Sequence, residues 1–492
     1  MTSFYFLIPM FFSYLLHWWN RECGGREVLR LAAPMIVSAG SISLMTFTDR
    51  VFLMWVHQDA MTTSMQAGLL FWMLISFPVQ VAAYVNAFVS QYHGSHNDDH
   101  IGPVVWQGIF FAAALTPVYI LAEPLLRDIF VLFRHDPGLI GMEQEYLRII
   151  LWSAGAAIAS EAVCAFFYGR EKMNVVMYIN LVCVFVNVIL DYCWIFGHCG
   201  FPQAGLAGAA YATVAAQWIR FTILLIVMLR DDARNGNTCN VRRGCRFNGP
   251  LMRRLFYYGF GSGMQVFIDA VGFTIFVMLI ASEQFAGGGL GKQAANATSI
   301  AFTLNMFTFL PIIGTGIAVT TLVGNQLGDN RPEMAQRATE TALTISVACS
   351  LFFGFLYLAA PDLLLAGFAT HSTDPAAFEM IRGLTINLLR FVSLYLLFDA
   401  INIIFSSAIK GAGDTWFVML VTIGMMPWLP LFTLLGIWYF GFGIYWAWSV
   451  LSAWVGLFAV IFWRRFHEGK WKNMRVIEPE LIAIPKEIVD SK

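Results

Sequence analysis

Two polar side chains interrupt the apolar run VFVNVILDYCWIFG at residues 184–197. Asn187 and Asp191 lie four residues apart, so a helix would set them on one face. Together they offer an amide oxygen and two carboxylate oxygens. Oxygen ligands of that kind hold hard cations such as sodium, and a proton needs only one carboxylate. Thr213, in the next apolar run, could add a hydroxyl. Asp49 lies in the first such run, Asp269 near the middle of the seventh, and Tyr395 and Asp399 sit four apart in the tenth. Glu161 in the fourth run is a further acidic candidate.

A charge at mid-membrane costs at least about 2.5 kcal/mol, so each of these carboxylates is a functional candidate. The plainer alternative is that each is neutral, or paired with a cation, and only ties helices together. Arg50, Arg220 and Arg390 are the available partners. Arg50 follows Asp49 directly, but adjacent helical residues point about 100° apart, and Arg50 can snorkel to the interface. The nine histidines (17, 57, 93, 96, 100, 135, 198, 371 and 467) all fall in loops or terminal segments. A membrane enzyme using His as base or metal ligand is therefore poorly supplied. No GxSxG, HExxH, Walker A or dinucleotide signature stands on a suitable element, which argues against ATP-driven pumping. Cys239 and Cys245 share a polar loop, but one pair without His falls short of a zinc site.

The elements that must position these residues are membrane helices. Of 492 residues, 58% are hydrophobic and only 12% charged, where soluble proteins carry about 25% charged. Mean hydropathy is +0.65. Net charge is -1, so nothing points to nucleic acid. Runs of spanning length occur near 31–56, 66–91, 104–125, 146–168, 174–197 and 204–229, then near 255–282, 296–325, 338–360, 384–409, 416–437 and 441–463. The pattern predicts an all-α membrane protein of twelve helices in two six-helix lobes: 24–230 and 255–463. Between them lies a basic linker, 231–254. The polar stretch 230–255 carries Arg230, Arg234, Arg242, Arg243, Arg246, Arg253 and Arg254. The positive-inside rule puts it in the cytoplasm, and twelve spans then put both termini there, with 464–492 as a cytoplasmic tail. Residues 1–23 read as an apolar interfacial segment, since no basic n-region or cleavage site makes it a signal peptide.

The halves echo each other. FPVQVAAYVNAFVSQYHG ends at Gly94, and LPIIGTGIAVTTLVGNQLG ends at Gly328, each opening on a bulky residue and Pro (Pro78, Pro311). FYGREKM (167–173) answers IKGAGDT (409–415). Both repeats start from the same side and cross six times, so they are parallel repeats about an axis along the membrane normal, a transporter arrangement. Aromatics make up 15% of the chain. Most suit lipid contact, and a minority facing a cavity would suit flat cationic substrates. The loop acids Asp98, Asp99 and Asp414 read as solvated surface.

Four passages carry a resemblance over roughly residues 24–465: REVLRLAAPMIVSAGSISLMTFTDRVFL, VNVILDYCWIFGHCGFPQAGLAGAAYAT, FLPIIGTGIAVTTLVGNQLGDN and FDAINIIFSSAIKGAGDT. In that order across two halves, the chain resembles the multidrug and toxic compound extrusion (MATE) family of secondary transporters. The resemblance implies a multidrug exporter exchanging organic cations or hydrophobic drugs for sodium ions or protons by alternating access, with no cofactor and no enzymatic activity. It implies an amino-terminal cation site at Asp49, Asn187, Asp191 and Thr213, a hinge at Pro34, and a cation or substrate site at Asp269, Tyr395 and Asp399. In the family branch concerned, the acid on the seventh helix is commonly Glu, so Asp269 departs by about one methylene; Arg50 departs as well. The expected setting is the inner (plasma) membrane, with small cationic or amphipathic substrates and the bilayer as partners, and a monomeric chain. A lipid-linked oligosaccharide flippase of the same superfamily is the alternative, which Arg220 and Arg390 keep open; a membrane-embedded enzyme is more distant.

Overall fold

The computed structural model describes residues 16–56, 58–132, 137–281, 291–369 and 375–482. Among them, twelve helices are long and apolar enough to cross a membrane: α1 Gly25–Val56, α2 Asp59–Gly94, α3 Asp98–Val131, α4 Gly138–Tyr168, α5 Met173–Phe196, α6 Gly205–Arg234, α7 Gly249–Ile280, α8 Gln293–Gly328, α9 Pro332–Ala359, α10 Glu379–Ala412, α11 Thr415–Ile437 and α12 Ile444–His467. No strand occurs among the described residues. Helices are the open-ended solution in lipid, because each segment satisfies its own backbone polar groups. The expected interfacial segment 1–23 falls largely outside the described residues, as does the end of the tail. Helix α1 continues through Pro34, and prolines also lie inside α2 (Pro78) and α8 (Pro311).

Contacts divide the chain into two units. One comprises Val37–Phe267, Gly324–Asn330 and the chain from Arg475; the other comprises the chain up to Ile36, Ile268–Val323 and Arg331–Met474. Helices α1, α7 and α8 therefore change unit along their length.

In the unit containing α2–α6, α4 is the most enclosed helix, and its small residues allow close approach. A Cβ added to Gly108 on α3 would come within 2.6 Å of the Ala162 Cβ on α4. Leu70, Phe130, Leu147, Ile150 and Ala210 form an apolar core. Helix α5 ends on Gly197 in the left-handed conformation (φ 74°), which turns the chain back so that α6 packs along α5. That packing fixes the face on which Asn187 and Asp191 stand.

In the same unit, the matching motifs ending at Gly94 and Gly328 meet. A Cβ on Gly94 would overlap the Asn325 carbonyl, and one on Gly328 would overlap that of Gln91. Gln91 and Asn325 each lie three residues before their glycine. The repeat positions thus contact each other reciprocally, as a local two-fold axis requires. Gly94→Val is expected to destabilise the protein by about 1–3 kcal/mol through overpacking, read as a lowered unfolding temperature in detergent. An unchanged temperature would mean that this glycine contact is dispensable.

The answering turns also serve equal purposes with charges exchanged. Arg170 and Lys172 each pair with Asp231 near the end of α6, at 2.7 Å. In the other unit Asp414 pairs with Arg465 near the end of α12, also at 2.7 Å. Asp414 is only 8% exposed, so it is a buried ion-pair member and not the solvated loop acid expected. Sequence polarity cannot register a partner 51 residues away.

Residues 231–254 are likewise built in. The buried Asp232 carboxylate accepts from the backbone N–H groups of Cys239 and Val241, both at 2.9 Å. The Trp106 indole donates to the Val241 carbonyl, and Gln107 bridges Arg246 and Asn248. The tail is anchored too. The Val476 N–H donates to Gln91 Oε1, Glu478 accepts from Tyr92 and Arg254, and Arg475 donates to Asn330.

Candidate functional site

Helices α1 and α5 bring Asp49, Asn187 and Asp191 together. Asn187 and Asp191 are fully buried, and Asp49 is partly so. With its amide nitrogen turned inward, Asn187 donates to Asp191 Oδ2 at 3.1 Å and to Asp49 Oδ1 at 3.2 Å. The two carboxyls are themselves in hydrogen-bond contact. Two bare carboxylates at that separation repel, so the pair must share a proton or enclose a cation. Asp191 Oδ1 is buried without a hydrogen-bond partner. Turning the Asn187 amide over would present an oxygen to the same point. The cluster can therefore present donors in one state and converging oxygens in the other. That chemistry fits a proton or a hard cation.

Thr213 is half-buried on α6 and makes no hydrogen bond to this trio among the described residues. Tyr146 on α4, which sequence reasoning did not single out, lies where the charges of Asp49, Asp191 and Arg50 all act on it.

A second polar layer lies in the same unit. The Arg220 guanidinium on α6 donates to Glu161 on α4 at 3.0 Å and to the Asn180 amide oxygen on α5 at 2.9 Å. Asn180 in turn donates to Ser38 on α1 at 2.5 Å. Asn180 precedes Asn187 by two turns, about 10 Å along α5. The arginine-pairing alternative thus holds for Glu161. Among the described residues no arginine pairs with Asp191: Arg220 is committed to Glu161 and Asn180, and the Arg50 charge acts on Asp49.

In the other unit the expected trio separates into two contacts. Asp399 lies beside Asn402, one turn on, and its charge acts on the buried Tyr395. The Tyr395 ring lies 6.4 Å from that of Trp448. Asp269 instead acts electrostatically on Lys410, near the end of α10. Arg390 donates to Asn387 at 3.1 Å and stands exposed. Lys410, one residue past the tenth apolar run, is thus the cation facing Asp269.

The MatE family model matches residues 34–193 and 270–433. The chain is similar to a probable multidrug resistance protein NorM of Thermotoga maritima, 25% identical over 93% of this chain and 95% of the relative. It is also similar to a multidrug resistance protein NorM of Burkholderia vietnamiensis, 26% identical over 80% and 83%. Its fold is similar to that of a multidrug resistance MATE family transporter of the MOP superfamily solved in an outward-facing conformation. The TM-score is 0.81, with 16% identity, 93% of this chain and 98% of that one covered.

Proposed function

The chain belongs to the MatE family, and from that premise we propose that it exports organic cations or hydrophobic drugs in exchange for sodium ions or protons. It is a multidrug efflux transporter and not an enzyme, a multi-pass protein of the inner membrane. The observation that carries the exchange reading is the buried Asp49–Asn187–Asp191 cluster, whose Asp191 Oδ1 has no protein partner.

The coupling ion enters the cluster from outside and is held by Asp49, Asn187 and Asp191; Thr213 on α6 is the further oxygen that the resemblance implies. Binding shifts the population between two helix arrangements only as far as the ion interacts better with one of them. Helix α1 is the element that can respond. Pro34 has no N–H to give to the helical ladder, which weakens the helix at that turn. The ion then leaves inward, and with the termini and the 231–254 segment cytoplasmic, drug moves outward. In the other half, Asp399 with Tyr395 is the better candidate for a cationic substrate, because Asp269 already faces Lys410.

Proline replacement tests the hinge. Pro34→Ala restores the missing helical hydrogen bond, and it is expected to slow dye efflux from vesicles while dye binding to the detergent-solubilised protein stays within about twofold. Unchanged efflux would remove Pro34 from the cycle. The flippase reading wants unneutralised cations deep in the protein. The pairing of Arg220 with Glu161 disfavours it.

A further inference from the structure

We propose that a cavity where α3 and α7 begin binds the phosphate headgroup of an anionic membrane lipid. This site is separate from the carboxylate clusters and does not depend on the exchange reading. It is a depression open to solvent, about 500 Å³, lined by Pro103, Asn240, Arg243, Arg246, Phe247 and Asn248, among others.

Three observations converge on that ligand. The first is uncompensated charge. No Asp or Glu occurs between Asp232 and Asp269, while Arg242, Arg243, Arg246 and Arg253 fall in that interval. The side chains of these four arginines make no hydrogen bond or ion pair among the described residues. By contrast, Arg254 in the same interval pairs with Glu478, and near the ends of other spans Arg170, Lys172, Arg465 and Lys472 have carboxylate partners. Arginine recognises phosphate through its planar fork of donors.

The second is rigidity. The loop carrying Arg243 and Arg246 is fastened by Asp232, Trp106 and Gln107, and by Gly244 N–H donating to the Asn240 carbonyl at 2.7 Å. The guanidinium groups therefore project from a fixed base, which lowers the ordering cost of binding.

The third is depth. Phe247, 68% exposed, lies 6.4 Å from the Phe110 ring, and Phe110 stands seven residues along α3 from Pro103, about 10 Å. An exposed phenyl beside an apolar span belongs against lipid, and it brings the adjoining arginines to headgroup level. A soluble anion would not need the phenyl.

Retention of lipid by the purified full-length protein tests this. The probes are phosphatidylglycerol and phosphatidylcholine offered as an equimolar mixture and read by native mass spectrometry. Wild type is expected to retain phosphatidylglycerol over phosphatidylcholine by about tenfold. In R243Q/R246Q the preference should fall close to one, with an unchanged size-exclusion profile and unfolding temperature as evidence of folding. Arg234→Gln, an exposed arginine of the same segment outside the cavity, should keep the preference. Preference surviving in R243Q/R246Q, or lost equally in Arg234→Gln, overturns the site. A third arm adds inorganic phosphate. Displacement of the bound lipid by millimolar phosphate would show a free-anion site and overturn the lipid assignment.

Discussion

Asp191→Asn is expected to reduce drug-driven ion exchange to the level of vesicles without protein, while the protein remains folded and inserted. The reason is geometric. Asp191 is fully buried, its Oδ2 is within reach of Asn187, and its Oδ1 has no partner. An amide at this position keeps the shape and removes the charge that distinguishes an ion-bound from an ion-free cluster. An ion with equal affinity for two arrangements shifts nothing between them. Asp49→Asn is expected to act through the same loss, so the double variant D49N/D191N should be no worse than D191N alone. Vesicle efflux of an ethidium-type dye checks both, with size-exclusion behaviour as the folding control. Additive losses would mean that the two carboxyls work at separate sites.

The second large effect expected is on stability. Arg220→Met leaves Glu161 facing apolar neighbours on α4, and breaking a buried pair from one side costs about 3–5 kcal/mol. Glu161 keeps 25% exposure, which sets the expectation at the low end of that range. Removing both charges, R220M/E161L, should recover most of the loss, because the penalty comes from the stranded carboxylate and not from the missing attraction. Unfolding temperatures of the three purified proteins measure this. A double variant as unstable as the single one would show that the Arg220 contact to Asn180, and through it to Ser38, carries the stability instead.

The contrast between these two sites shows what a one-dimensional reading can reach. The spans are legible because a run of eighteen or more apolar residues has few other folded states. The Asn187–Asp191 pair is legible because the helical period puts both on one face, and the resemblance adds Asp49. Asn180 stands on that same face seven residues earlier, yet its role depends on Arg220, 40 residues away on another helix. No local period encodes such a pairing. Lys410 sits in the glycine-rich IKGAGDT, which reads as a turn, but α10 runs on to Ala412 and keeps the lysine helical. Asp414 and the 231–254 segment are polar and loop-like, and their burial follows from tertiary partners: Arg465 for the one, Trp106 and Gln107 for the other. Polarity reports solvent preference, and long-range partners override it.

The central claim is that the α1–α5 carboxylate cluster exchanges its cation and that this exchange drives efflux. The most direct test is cation binding by the purified protein, followed by calorimetry at fixed pH with added sodium and by proton release on addition of drug. Wild type should take up sodium or release protons with about one ion per chain, and D49N/D191N should do neither. Binding of the same stoichiometry in that double variant would place the coupling elsewhere and contradict the account.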